Sequence, residues 1–188
     1  KWNFHRHSPG IGVGGHCIPV DPYYYLDLSE KTGKRSLIST AARSINESMP
    51  SFSADEVVSL LDSYNLDSPK VLILGYSYKP ETGDIRDTPV LEFSQGISSS
   101  GVTVFVWDPF VEDKHFPEWV VQVGGPLEES GLDMVILATA HSQFMNIDWE
   151  GLRERCNNPI FYDGRRALSP LEMKKVGWEY FAIGYPTN

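Results

Sequence analysis

From Lys70 onward, short uninterrupted apolar runs alternate with helix-patterned stretches, and this alternation limits the fold more than any other feature of the chain. The runs are Val71-Leu72-Ile73-Leu74-Gly75, Val102-Thr103-Val104-Phe105-Val106-Trp107, Met134-Val135-Ile136-Leu137-Ala138, Ile160-Phe161-Tyr162 and Tyr180-Phe181-Ala182-Ile183. A strand that is apolar at every position leaves no face for water, so it belongs in a sheet covered on both sides by the intervening helices. The expectation is an α/β fold with a parallel sheet. Thr88 and Pro89 mark the start of the first of these helices, because a threonine side chain can cap a free amide and proline at the first turn sacrifices no hydrogen bond.

Before Lys70 the periodicity is helical. Tyr23-Tyr24-Tyr25-Leu26 leads into a short pattern closed by Gly33, and Leu37, Ile38, Ala41, Ala42, Ile45 and Met49 recur at helical spacing, followed by Val57, Val58, Leu60 and Leu61. Pro50 is expected to kink this helix or start a new one, since an interior proline removes a backbone hydrogen bond. The apolar stripe reads as packing, partly between subunits. Asn65, Asp67, Ser68 and Pro69 form a turn-rich connection, which divides the chain into a helical region, 1–66, and the α/β unit, 67–188.

The chain has 188 residues, 41% of them hydrophobic, enough to bury a real core. Its net charge of -9 argues against nucleic acid as a partner, although a few Lys and Arg can still be focused on a phosphorylated ligand. No run approaches the roughly 18 apolar residues of a membrane span and no signal peptide opens the sequence, so the cytoplasm is the expected location. Cys17 and Cys156 form neither a metal-type pair nor a disulfide framework. Cys156 is expected to be a small buried residue at a helix end.

Chemistry concentrates near the start, in Pro9-Gly10-Ile11-Gly12-Val13-Gly14-Gly15-His16-Cys17-Ile18-Pro19-Val20-Asp21-Pro22. Glycines let a ligand approach main-chain amides closely. A thiol attacks a carbonyl carbon only as thiolate, and a carboxylate stands four positions further on. Gly10 to Gly15 formally fit G-x-G-x-x-G, but no strand precedes them and no helix opens at the last glycine, so they are not a dinucleotide fingerprint. Close contact between backbone and substrate is the better use, with Gly12 and Gly14 the chosen positions. Asp21 on spacing alone is either a turn residue before Pro22 or a catalytic group.

The Gly-Gly-His-Cys-Ile-Pro-Val-Asp-Pro segment resembles the catalytic loop of the UDP-glucose/GDP-mannose dehydrogenase family. His16 and Val20 favour the subgroup that oxidises UDP-N-acetylhexosamines, UDP-N-acetylmannosamine foremost, over UDP-glucose or GDP-mannose oxidation. The resemblance covers nearly the whole chain. It implies a Rossmann-like nucleotide-sugar-binding domain preceded by part of a central helical dimerisation region, a homodimer or higher homo-oligomer, and NAD bound mainly by an amino-terminal domain absent here. The chain opens inside the motif without a capping or strand signal, as a piece of a longer protein would.

The reaction that the resemblance implies is oxidation of a sugar C6 alcohol to a carboxylate with two NAD, by way of an aldehyde. Cys17 is the covalent nucleophile and Asp21 helps activate the hydrolytic water. In Gly75-Tyr76-Ser77-Tyr78-Lys79-Pro80-Glu81-Thr82-Gly83-Asp84-Ile85-Arg86-Asp87, the family's pattern gives Tyr78 and Lys79 to the UDP-sugar and Arg86 to the NAD. A half-buried ring is the alternative for Tyr78, and an ion pair with Asp84 or Asp87 for Arg86. In Asp163-Gly164-Arg165-Arg166, Arg165 matches the substrate-binding position and Arg166 reads as a surface charge. Lys79 and Arg165 both follow strands, where open α/β sheets bind ligands. Asp108 reads as a structural strand-end residue. His5, Arg6 and His7 form a basic cluster in a segment that contributes to the family's substrate pocket, without metal-type spacing. The rival from another class is a non-catalytic module for UDP-sugar binding or dimerisation.

Overall fold

In the computed structural model the described residues are 8–185, so His5, Arg6 and His7 lie outside them. The elements run α1 (Asp21–Lys31), α2 (Leu37–Ser63), β1 (Lys70–Leu74), α3 (Pro89–Ser99), β2 (Thr103–Trp107), β3 (Val121–Gln122), β4 (Leu132–Leu137), α4 (Trp149–Arg153), β5 (Cys156–Asp163), α5 (Pro170–Lys175) and β6 (Glu179–Ala182). The strands form one parallel sheet in the order β3-β2-β1-β4-β5-β6. The chain builds outward from β1 in one direction, then returns and builds from β4 in the other. This is the doubly wound arrangement, whose ligand crevice opens beyond the carboxyl ends of the strands where the order reverses.

Alternate residues of each strand serve opposite faces. Val71, Ile73, Val104, Val106, Met134 and Ile136 pack with Phe93 and Ile97 of α3 and with Ala54, Val57 and Leu61 of α2. Leu72, Leu74, Phe105, Val135, Leu137 and Phe161 face the other layer, formed by Phe144, Leu152 of α4, Met173 of α5 and Trp178. Every residue of β4 is buried, Asp133 among them, as a strand in the middle of a sheet covered on both faces requires. The expected start of α3 is present, with the Thr88 hydroxyl accepting from the Val90 amide and donating to the Tyr76 carbonyl at 2.8 Å.

Of the two outcomes expected at Pro50, a new helix does not occur: α2 is a single 27-residue helix, about 40 Å long, that runs through the proline. Pro50 is buried, and a Cβ built at Gly12 would stand 3.5 Å from its ring, so the proline forms part of the floor under the glycine loop. Cys156 is not at a helix end but opens β5, where its thiol donates to the Leu152 carbonyl at 3.4 Å. Burial raises the Cys156 pKa to about 12. The two-residue β3 had no apolar run to announce it.

The turn at 64–69 is where expected, with Asn65 and Ser68 both in the left-handed region at φ 52° and 53°. The second half of α2 nevertheless belongs to the same core as the sheet, crossing α3 so closely that a Cβ on Gly96 would stand 2.9 Å from the Ala54 Cβ. The first half of α2 projects Leu37, Ile38 and Ile45, each more than 60% exposed. Among the described residues no helix is long and apolar enough to cross a membrane, and no group of three His, Cys, Asp or Glu could hold a metal ion.

Candidate active site

The glycine segment is an irregular strap laid across the carboxyl ends of β5 and β1. Ile11 anchors it, fully buried in the α2-side core. Beside that anchor the strap meets Arg165: a Cβ on Gly10 would stand 3.1 Å from Nη1, and Nη1 itself donates to the Gly12 carbonyl at 3.5 Å. Further along it meets Tyr78. A Cβ on Gly14 would fall 2.4 Å from the Asp87 carbonyl oxygen and 2.8 Å from the Tyr78 Cβ, and one on Gly15 2.7 Å from the Tyr78 ring. The Gly15 amide donates to the Arg86 carbonyl at 3.2 Å and the Val13 amide to Asn46 Oδ1 at 3.1 Å. In this structure, therefore, the missing side chains at Gly12 and Gly14 allow the strap to dock on the protein itself.

Beyond the docked part, the Cys17 carbonyl accepts from the Val20 amide at 3.0 Å and from the Asp21 amide at 2.8 Å. The second bond closes one helical turn from Cys17 to Asp21, the first residue of α1. Both are exposed, and a carboxylate in a first helical turn is favoured by the free amides and the helix dipole.

The β1–α3 connection brings Tyr78, Lys79, Asp84 and Arg86 to the same place. Tyr78 is half-buried and the Lys79 ammonium stands 5.3 Å from its ring centroid. Arg86 makes a forked pair with Asp84, Nε lying 2.9 Å from Oδ1 and Nη2 2.5 Å from Oδ2. That pair lowers Asp84 to about 2, with His16 adding a smaller pull, and raises Arg86, with Tyr78 and Cys17 adding smaller contributions. His16 and Cys17 are thus electrostatic neighbours of this pair.

Arg165 is more deeply built in than a loop arginine need be. Nε donates to the Ala138 carbonyl at 2.6 Å, and Nη2 is buried without a hydrogen-bond partner among the described residues. Burial draws its pKa below the usual arginine value, opposed by Asp163. The fully buried Asp163 accepts from the Arg165 and Leu168 amides and from the Tyr180 hydroxyl, fixing the turn that carries Arg165. Arg166 is exposed and reaches the Ile183 and Gly184 carbonyls at 3.4 Å. A cavity of about 350 Å³ lies between the strap, α2 and Arg165. A larger one, about 780 Å³, sits against β6 and the second half of α2, lined by Glu56, Tyr64, Tyr162 and Glu179 and, among the described residues, by no cysteine, lysine or arginine.

Asp108 is the structural strand-end residue expected: it accepts from the Tyr76, Ser77 and Phe110 amides and lies 3.1 Å from His141 Nε2. Burial alone would raise its pKa, but His141 and the three amides bring it to about 2. His141, fully buried, was not singled out at all. Its position four residues past the end of β4, the same strand-end rule that marked Lys79 and Arg165, was the available signal.

The residues do not fit a dinucleotide at the first βα turn. The connection from Leu74 to Pro89 is long and has no glycine fingerprint. The N-terminus of α3 is closed by the Thr88 cap, by Pro89 with no N–H to offer, and by the strap packed on the proline ring.

A doubly wound sheet with a thiol-bearing strap across its carboxyl ends defines a nucleotide-type binding domain carrying a candidate covalent nucleophile. The model for the UDP-binding domain of the UDP-glucose/GDP-mannose dehydrogenase family matches residues 72–170 and that for its central domain residues 1–48, and the chain belongs to this family. The UDP-N-acetyl-D-mannosamine dehydrogenase of Pyrococcus horikoshii is 37% identical over 95% of this chain and 40% of its own length. The UDP-N-acetyl-D-glucosamine 6-dehydrogenase of Pseudomonas aeruginosa is 35% identical over 82% of this chain and 37% of its own. The solved NDP-N-acetyl-D-galactosaminuronic acid dehydrogenase of Methanosarcina mazei superposes with a TM-score of 0.78 at 28% identity, covering 94% of this chain and 39% of that one. The chain thus spans about 40% of the length of the relatives it matches.

Proposed function

We propose that this chain is the carboxyl-terminal part of an NAD-dependent nucleotide-sugar 6-dehydrogenase that converts a UDP-N-acetylhexosamine, UDP-N-acetylmannosamine foremost, to its uronic acid. The observation that carries the reading is the strap: it sets Cys17 and Asp21 one helical turn apart while docking between Arg165 on one side and Tyr78 with Arg86 on the other. Lys79 and the unpartnered Nη2 of Arg165 are the cations that hold the UDP pyrophosphate, Tyr78 packs on the nucleotide-sugar, and the Gly12 and Gly14 backbone lines its path. The names of the relatives support the N-acetylhexosamine assignment.

In the chemistry proposed, the Cys17 thiolate forms a C–S bond to the C6 aldehyde and the carbonyl oxygen takes a proton. Oxidation of the alcohol, and then of the thiohemiacetal on Cys17, would each release a hydride, and NAD when bound would supply the acceptor. No residue of the first βα turn is assigned to holding it, and Arg86 is proposed only to reach its edge. Asp21 then takes a proton from water as that water attacks the thioester, and the C–S bond breaks with the electron pair returning to Cys17. A covalent nucleophile divides a difficult oxidation into easier steps. The exposed Leu37, Ile38 and Ile45 support burial of α2 against a second copy, hence a homodimer or larger assembly.

The test is titration of UDP into three variants. Lys79→Ala is expected to weaken binding by about 1–3 kcal/mol, as loss of a charge-assisted contact does, with an unchanged melting temperature. Arg165→Ala should weaken binding and lower stability together, because its guanidinium is built into the fold. Cys17→Ser should bind UDP normally and abolish acid formation by the full-length enzyme. Unchanged affinity in the first two variants would refute the nucleotide-sugar site.

A further inference from the structure

His141 is a buried imidazole with both ring nitrogens committed. Nδ1 lies 3.0 Å from the Glu81 amide nitrogen, which can only donate, so Nδ1 is the unprotonated nitrogen and the ring proton sits on Nε2. That Nε2–H faces Asp108 Oδ2 at 3.1 Å and Ser77 Oγ at 3.3 Å. The Ser77 hydroxyl spends its own proton on the Lys79 carbonyl at 3.0 Å, leaving its oxygen free to accept. The ring therefore grips the segment Ser77–Glu81 at both ends, and Lys79 lies in the middle of the grip. Phe110 and Phe144, with ring centroids 4.9 and 5.0 Å away, close the space around the imidazole.

The held segment is one that would not keep this shape unaided. Glu81 sits at φ 60°, in the left-handed region that disfavours a residue with a Cβ. It is held from the other side as well, its carboxylate accepting from the Ser142 amide at 2.6 Å. The Ser77 carbonyl is fixed by the Thr139 hydroxyl at 2.6 Å, so the residues just after β4 brace the loop after β1 across the point where strand order reverses.

We infer that His141 is a positioning residue for the nucleotide-sugar site: as the Nε2–H tautomer anchored by Asp108, it fixes the Ser77–Glu81 segment so that Lys79 and Tyr78 meet the ligand already ordered. This rests on the reading that the Lys79 face binds UDP. Neither His141 nor Asp108 touches the ligand. Their contribution is to remove the cost of ordering the loop during binding.

The experiment combines UDP titration with amide exchange over the peptide 76–85, at a temperature well below melting, for the wild type, His141→Leu, His141→Asn and Ser77→Ala. His141→Leu is expected to weaken UDP binding about tenfold or more, since it removes the hydrogen bonds to both the Glu81 amide and the Ser77 hydroxyl, and to speed exchange in 76–85. His141→Asn, whose side-chain oxygen can stand in for Nδ1, should recover most of both. Ser77→Ala, a milder change that leaves the imidazole in place, should show a smaller effect in the same direction. A role confined to stability would lower the melting temperature of His141→Leu while leaving UDP affinity as in the wild type. That result, with wild-type binding intact, would overturn the inference and leave the site reading standing. Absence of UDP binding by the wild type would refute the site reading and with it the role assigned to His141.

Discussion

Gly14→Ala tests the docking of the glycine strap most directly. The added methyl would lie 2.4 Å from the Asp87 carbonyl oxygen, 2.8 Å from the Pro89 Cδ and 2.8 Å from the Tyr78 Cβ, against about 3.5–4.0 Å for ordinary contact. All three neighbours are backbone or rigidly attached atoms, so no rotamer change relieves the overlap, and the strap must lift. Overpacking of this kind costs about 1–3 kcal/mol. The forces holding the strap are similar in size: burial of Ile11 contributes about 1.5–3 kcal/mol and the Gly15–Arg86 hydrogen bond about 0.5–1.5 kcal/mol. The strap should therefore undock part of the time while the sheet stays folded. Amide exchange at Gly15 is expected to accelerate roughly 5- to 150-fold, the factor that corresponds to 1–3 kcal/mol, with the amides of Leu72 and Val135 unchanged. Gly33→Ala is the comparison, since a Cβ there meets nothing within 4 Å although φ is 71°. Its cost stays at the end of α1. Equal exchange at Gly15 in both variants would refute the reasoning.

Asp108 gives an acid limb to stability. Its carboxyl sits at about 2 in the folded protein against an ordinary value of 3.8, so about 2 kcal/mol of stability is present above pH 4 and is lost as pH falls through 2. Denaturant melts of the wild type and Asp108→Asn across that range should converge at low pH, and a constant difference would contradict the assignment. The two thiols should also part company. With Cys156 raised to about 12, roughly one molecule in ten thousand carries its thiolate at pH 8, whereas Cys17 is exposed. Iodoacetamide on the folded protein should label Cys17 and spare Cys156, as peptide mass mapping can determine; modification of Cys156 at the same rate would contradict its burial. Thr88→Ala should lower stability by about 0.5–2 kcal/mol through loss of the α3 cap, read as a lowered melting temperature, and no change would mean that the hydroxyl is dispensable at both its bonds.

Much of this was local and therefore legible. Five of the six strands contain apolar runs because a strand buried on both faces has few polar positions to spare, and α3 announced itself at Thr88-Pro89 because capping is settled by adjacent residues. The spacing of Cys17 and Asp21 is likewise a local matter, and the turn that closes between them is what four residues can form. Arg86 had two local carboxylates to choose from, and its partner, Asp84, is two residues away.

Tertiary structure decided the rest, because it concerns groups that meet only after the chain has crossed the sheet. Pro50 looks like a helix break when only its missing N–H is counted, yet it sits inside α2 as the surface on which Gly12 rests. The sequence marked Arg165 as a ligand-binding position, but not that the Ala138 carbonyl, 27 residues earlier, and the Gly12 carbonyl, 153 residues earlier, hold its guanidinium. His141 faces Asp108 across 33 residues and Glu81 across 60. The sequence by itself determined the alternation of elements, the cap that opens α3 and the glycine-rich run that forms the strap, since each depends on periodicity or on neighbours in the chain. Which buried polar groups become partners depends on strand order, and one sequence read along its length holds no record of the order in which its strands will lie side by side.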